Sequence, residues 1–217
     1  MNNEIINRIL SSIILIPLAL YFILKGSIFF NIFISVCFFI TVYEWHNMTN
    51  KKPYNIFGLI FLILSFYSIY NLRHAFEGDY LYLLFITIIC VSTDIGGYIF
   101  GKIFKGPKLI KISPKKTYSG TIGGYFLSII AINYYLSSSY VDSSIDFSKE
   151  IFIFVILVST VSQVGDILIS YFKRKSKMKD TGKIIPGHGG LLDRIDGMVF
   201  AFPFSYIIIL TGIISIF

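Results

Sequence analysis

Long apolar runs separated by short polar segments recur from one end of the chain to the other. The runs are continuous rather than alternating. An open sheet could not satisfy its backbone in lipid, so helices are predicted throughout. Seven spans result, at about 9–24, 28–43, 56–71, 80–100, 119–136, 150–170 and 195–217. Several are a little under the ~20 residues that cross hydrocarbon, which requires flanking polar residues to snorkel. The expected fold is all-α, a polytopic membrane helix bundle forming a single integral membrane domain over residues 1–217. Residues 1–72 read as scaffold and residues 80–217 as the region that carries chemistry. The first run lacks a small-residue cleavage site and is the first of a series, so a span is expected there rather than a signal peptide.

The polar segments set the orientation. The loop 101–118 holds six lysines and no acid, and the loop 171–194 holds seven basic residues. Both are placed in the cytoplasm by the positive-inside rule, together with Lys51 and Lys52. The segments around Arg73, Glu77 and Asp79, and around Asp142, Asp146, Lys149 and Glu150, are dominated by acids and go outside. The alternation is self-consistent over seven spans and predicts a cytoplasmic N-terminus.

Composition sharpens this picture. Hydrophobic residues make up 55% and charged residues 14% of the 217, well below the roughly 25% charged content of soluble domains. The net charge of +7 is concentrated, with thirteen of nineteen basic residues in 102–116 and 173–194. Such clusters suit anionic lipid heads, a nucleotide or topology alone. Nucleic acid is not an expected partner, since no soluble domain carries these charges. Cys37 and Cys90 lie in apolar runs without a CxxC partner, which argues against disulfide or zinc chemistry.

The candidate chemistry begins at the fourth span. Asp94 sits at membrane depth, where a carboxylate costs a few kcal/mol or more and needs a partner or a watery cavity. Gly97 and Gly101, four apart, permit close helix packing. Before the fifth span, Ser113, Lys115, Lys116 and Thr117 read either as a phosphate cradle at a helix N-terminus or as a basic anchor with a helix cap. Asp166 is the second intramembrane acid, and Ser170, four residues on, shares its helical face. Asp193 and Asp196, three apart, fall on adjacent turns of one face. Two or three carboxylates there suit a hard cation such as Mg2+. Arg194 between them suits bidentate phosphate contact. Gly189 and Gly190 let backbone approach a ligand closely. His188 could donate to a phosphate, act as an acid or satisfy the turn. Glu44, between Tyr43 and Trp45, reads as a snorkelling acid in an aromatic belt. Most basic residues of 173–183, Lys175 among them, read as topology.

The stretch S-x-F-K-R-x4-K-D-x-G-x3-P-G-H-G-G-x-x-D-R-x-D, from Ser170 to Asp196, resembles the signature of the phosphatidate cytidylyltransferases, with every fixed position filled. The segments TDIGGYIFGKIFKG and SPKKTYSG resemble the same family, so the similarity covers roughly the C-terminal 130 residues. The resemblance implies the reaction of CTP with phosphatidic acid to give CDP-diacylglycerol and pyrophosphate, with Mg2+ as cofactor. It implies a homodimer. The high Ile, Asn, Lys, Phe and Tyr content points to an AT-rich genome and hence a bacterium, so an inner membrane is expected, with the active site facing the cytoplasm as the two basic loops do. Carried over by position, the resemblance implies metal ligation by Asp166, Asp193 and Asp196. Lys179, Asp180, His188 and Arg194 join these as catalytic candidates. Asp94, Ser113, Lys115, Lys116, Thr117, Ser170, Lys173, Arg174, Gly189 and Gly190 become substrate-binding candidates.

Two other classes remain at this stage. An ion or proton transporter would use Asp94 and Asp166, but the GHGG-LLDRID loop has no transport purpose, and no paired broken spans suggest inverted repeats. A CTP-dependent polyprenol kinase would share the architecture and transfer phosphoryl to an alcohol.

Overall fold

The computed structural model describes residues 2–74, 80–110, 113, 116–138, 147–185, 187 and 189–213, with side chains from Ile13 onward. Its helices are α1 (Asn2–Lys25), α2 (Ser27–Thr49), α3 (Asn55–His74), α4 (Tyr80–Phe104), α5 (Tyr118–Leu136), α6 (Lys149–Lys175), α7 (Leu192–Ile195) and α8 (Met198–Leu210). Among the described residues there is no strand, only isolated bridges at Lys108–Thr117 and Ile185–Gly189. The expected all-α class is observed. Four helices, α2, α3, α4 and α6, are long and apolar enough to cross a membrane.

Several boundaries differ from expectation. The sixth helix runs on to Lys175, so Lys173 and Arg174 stand on its last turn rather than in a loop. The extension is held by packing, because the Phe172 ring meets Trp45 and Tyr54 at 5.3 and 5.1 Å between centroids. The predicted span 195–217 is divided at Asp196 and Gly197, and its described helix, α8, has 13 residues.

The exterior is apolar, as a bilayer solvent demands. Phe57, Ile56, Ile122, Tyr134 and Phe39 are all strongly exposed. The interior holds one large core around Phe30, Leu72, Phe85, Ile86, Ile89, Ile132, Phe154 and Val155. A second cluster joins Trp45, Met48, Leu62, Ile169, Leu192 and Val199. This smaller cluster ties α2 and α3 to α6, α7 and α8, and it forms the floor under the polar loops.

Helices α4 and α5 pack more closely than any other pair. The cause is a seam of glycines: Gly96, Gly97 and Gly101 on α4 meet Gly120, Gly123 and Gly124 on α5. A Cβ added to Gly120 would stand 2.7 Å from the Gly97 carbonyl oxygen, and one added to Gly96 would strike the Gly123 carbonyl. Backbone therefore lies on backbone, the packing that small residues allow between membrane helices. Hydroxyls join α6 to this pair, with Thr93 Oγ1 donating to Ser159 Oγ at 2.8 Å and Tyr125 OH lying 2.9 Å from Thr160 Oγ1.

Candidate active site

A cleft of about 270 Å3 opens where α4, α5 and α6 meet the loop before α5. Asp94, Tyr98, Ser113, Lys116, Thr117, Thr121, Gln163 and Asp166 are among its lining residues. The glycine seam makes one wall. With no side chains at Gly97 and Gly120, the polar groups of α4 and α5 come to the rim of a shared hollow.

Lys116 reaches across this cleft to α6. Its Nζ lies 2.6 Å from Asp166 Oδ2 and donates to the Gln163 carbonyl at 3.1 Å. Ser170 Oγ donates to Asp166 Oδ1 at 3.3 Å, so the predicted shared face of those two residues is observed. The loop bearing Lys116 is fixed by pairing with the segment before it, Leu109 N–H donating to the Lys116 carbonyl at 2.9 Å. Thr117 is the N-cap of α5, its Oγ1 accepting from Gly120 N–H at 3.1 Å. Tyr118 N–H donates to the Pro107 carbonyl at 3.2 Å. Of the two readings of this segment, the helix cap is therefore present. Ser113 and Lys116 still face the cleft. Lys115 and His188 lie outside the described residues.

Below the cleft stands the second polar group. Asp196 is buried, hydrogen-bonded through Oδ1 to Gly197 N–H at 2.9 Å. Its carboxyl meets that of Asp166 within hydrogen-bonding reach, and Asp94 adds a third negative charge to the same field. Lys173 is the counter-ion, 3.9 Å from Asp196 Oδ2 and 2.8 Å from Asp193 Oδ1. Arg194 is exposed and acts on Asp94 as a positive charge, as Lys116 does.

Asp193 is differently placed from the other acids. Its side chain is 5% exposed. Oδ1 receives Lys173, while Oδ2 receives Thr181 N–H at 2.7 Å and Gly190 N–H at 2.9 Å. Both oxygens are thus committed to the protein. The structure brings Asp166 and Asp196 together and joins Asp193 to them only through Lys173. Among the described residues, no group of three or more acidic, histidine or cysteine side chains is placed to hold a metal ion. The Asp166–Asp196 pair still has the chemistry of a hard-cation site, since two carboxylates in contact repel unless a proton or cation joins them. Mg2+ commonly uses one or two carboxylates and takes its other ligands from water and phosphate.

The remaining predicted residues are on the rim. Lys179 and Asp180 are exposed, and Arg174 donates to the Met178 carbonyl at 3.3 Å. Gly189, at φ +88°, exchanges backbone hydrogen bonds with Ile185 at 2.9 and 3.2 Å, which closes a tight hairpin. Gly190 must be glycine because a Cβ there would run into the Glu44 carboxylate and the Thr181 hydroxyl.

That contact exposes the residue the sequence reading misplaced. Glu44 does not snorkel; it is 1% exposed. Its Oε1 accepts from Leu191 N–H at 2.9 Å, and its Oε2 accepts from Leu192 N–H at 2.8 Å and Thr181 Oγ1 at 3.1 Å. The aromatic neighbours mislead here, because Trp45 is itself buried, with its Nε1 donating to the Asn55 carbonyl. The available signal is local: residues 40, 41, 47 and 48 offer no base at helical spacing, so the partner of Glu44 had to come from far along the chain.

The profile of the cytidylyltransferase family matches residues 6–78 and 59–211 of the chain. A phosphatidate cytidylyltransferase of Rickettsia felis is 37% identical over 212 residues, covering 93% of this chain and 90% of that protein. The protein of the same name from Rickettsia conorii is 37% identical over 203 residues, covering 88% and 85%. The one from Staphylococcus aureus is 34% identical over 179 residues, covering 76% and 64%. The matches run through the first three helices as well as the polar loops, so the chain belongs to the cytidylyltransferase family.

Proposed function

We propose that this chain joins CTP to phosphatidic acid, giving CDP-diacylglycerol and pyrophosphate. A phosphate oxygen of phosphatidate attacks the α-phosphorus of CTP, forming a new P–O bond. The bond from that phosphorus to the bridging oxygen breaks, and pyrophosphate leaves with the electron pair. The nucleophile is already anionic, so no strong general base is needed. The demand is for positive charge between two anions and on the leaving group.

The observation that carries this reading is the cleft in which Lys116 of the loop before α5 meets Asp166 of α6, with Asp196 against Asp166. Lys116 and Arg194 supply charge to the nucleotide phosphates, and Ser113 and Thr117 supply hydroxyls. Mg2+ held by Asp166 and Asp196 would neutralise phosphate charge and orient the reacting groups. Asp193 was expected in that ligand set; its hydrogen bonds favour holding Lys173 and the loop neck instead. Asp94 lines the same cleft, with Lys116 opposite it and the positive charge of Arg194 acting on it.

The same reading places the chain in the inner membrane as one domain. Four helices meet the length of a span, and α1, α5 and the segment from residue 195 complete seven. The basic loops then lie in the cytoplasm with the N-terminus, where CTP is available. A cysteine substituted for Lys105 should react with an impermeant reagent only in inside-out vesicles. The homodimer implied by the family resemblance predicts two chains per particle in native mass spectrometry.

Purified protein incubated with CTP labelled at the α-phosphate and with phosphatidate should yield lipid-linked CMP. Chelation should stop turnover, and added Mg2+ should restore it. Phosphoryl transfer to a polyprenol, or no consumption of CTP, would overturn the assignment.

A further inference from the structure

We propose that Glu44 is a positioning residue for the reaction, a clamp by which the scaffold helix α2 sets the place of Asp196. The claim rests on the cytidylyltransferase reading for its kinetic consequences and on geometry alone for the clamp.

The segment from Thr181 to Leu192 follows α6 and runs up to the first residue of α7. Its two ends meet at a neck closed by two carboxylates. Asp193 holds the backbone N–H groups of Thr181 and Gly190. Glu44 holds the Thr181 hydroxyl and the N–H groups of Leu191 and Leu192. Thr181 is gripped by both acids, one on its backbone and one on its side chain. Gly182 and Gly190 pack against the Glu44 carboxylate, where an added Cβ would stand 2.7 and 2.5 Å from its oxygens. Three of the carboxylate's roughly four acceptor positions are filled, and a side chain at Gly182 or Gly190 would have to push the carboxylate aside.

A carboxylate buried this completely is expensive unless dipoles surround it. Among the described residues no cation pairs with Glu44; N–H and O–H groups alone meet its charge. Two of its three donors, the N–H groups of Leu191 and Leu192, stand immediately before Asp193, and Asp196 follows within one turn. Glu44 therefore fixes the rotation of the short helix α7, and with it the approach of Asp196 to Asp166 on α6. An apolar residue could fill the same space but could not select that rotation.

The test uses full-length protein in detergent or nanodiscs. Glu44→Gln keeps the volume but turns an –NH2 toward a donor. The expected result is a fall in kcat of about thirtyfold or more, with KM for CTP and phosphatidate within about threefold. The Mg2+ concentration for half-maximal activity should rise, which a purely structural loss would not produce. Trypsin should cut after the exposed Lys183 at least about five times faster, with unchanged elution volume and no new cuts inside the helices. Thr181→Val removes one of the three donors and should fall between wild type and Glu44→Gln in both measurements. Wild-type turnover, Mg2+ dependence and Lys183 cleavage in Glu44→Gln would overturn the clamp. Where Glu44→Gln does not yield folded protein, Thr181→Val decides: intermediate values support the clamp, and wild-type values overturn it. A wild-type protein that does not convert CTP would sink the functional reading, and faster Lys183 cleavage would still report the clamp.

Discussion

Two groups of acids lie within a short reach of each other and obey different rules. In the neck, Glu44 and Asp193 are tied on both oxygens: each accepts from two backbone N–H groups and one further donor. At the cleft and just below it, Asp94, Asp166 and Asp196 act on one another as like charges, with Lys116 paired to Asp166 and Lys173 standing between Asp196 and Asp193. A carboxylate surrounded by fixed backbone donors is a structural tie. Carboxylates held against each other keep a standing demand for positive charge, which is the property a phosphate-transfer site needs. Position in the signature does not separate the two groups, because Asp193 and Asp196 are three residues apart and share Lys173, yet only Asp193 gathers the backbone N–H groups of Thr181 and Gly190.

The comparison can be broken most directly in the cleft. Asp166→Asn should reduce lipid-linked CMP formation by about a thousandfold, close to 4 kcal/mol, with an unaltered thermal midpoint. Retention of more than a tenth of the activity would remove Asp166 from the chemistry. Asp193→Asn should act in the opposite proportion. It strands Lys173 and weakens the neck, so about 3 kcal/mol of stability should go, with activity about a hundredfold down. A lost activity with an unchanged melting midpoint would move Asp193 into the cleft group.

Lys116→Ala removes the cation that bridges α5 and α6. KM for CTP should rise about tenfold, or about 1.4 kcal/mol, with a smaller change in kcat. A KM unchanged in steady-state assays would assign Lys116 to helix packing alone. Lys175→Ala should do least. Its Nζ lies 4.6 Å from the centre of the Tyr54 ring, a cation–π contact on the outside of both groups. Activity within about threefold and a stability loss under ~1 kcal/mol are expected. A fall beyond about a hundredfold would bring Lys175 into the site.

What was legible in the sequence was mostly local. The spacing of Asp166 and Ser170, the close approach at Gly97 and Gly101, and the cap at Thr117 all follow from helical geometry, and all are present. What escaped was long-range. Glu44 meets residues more than 130 positions away, and nothing in its neighbourhood names them. Lys173 looked like substrate contact because of its signature position, yet it is buried between Asp193 and Asp196. The sixth helix ran longer than hydrocarbon thickness requires because Phe172 packs on Trp45 and Tyr54.

The glycine seam carries a mechanical consequence. Two helices in backbone contact at their glycines, with Thr93, Phe100 and Leu127 packed into the seam beside them, form a single stiff plate. Gln163, Asp166 and Ser170 belong to α6, which packs on that plate through the apolar core around Phe85 and Phe154 and, nearer the hollow, through hydroxyl groups and one lysine that can exchange partners. The polar side chains on α6, rather than the α4–α5 wall, are therefore the part of the hollow able to rearrange around a phosphate.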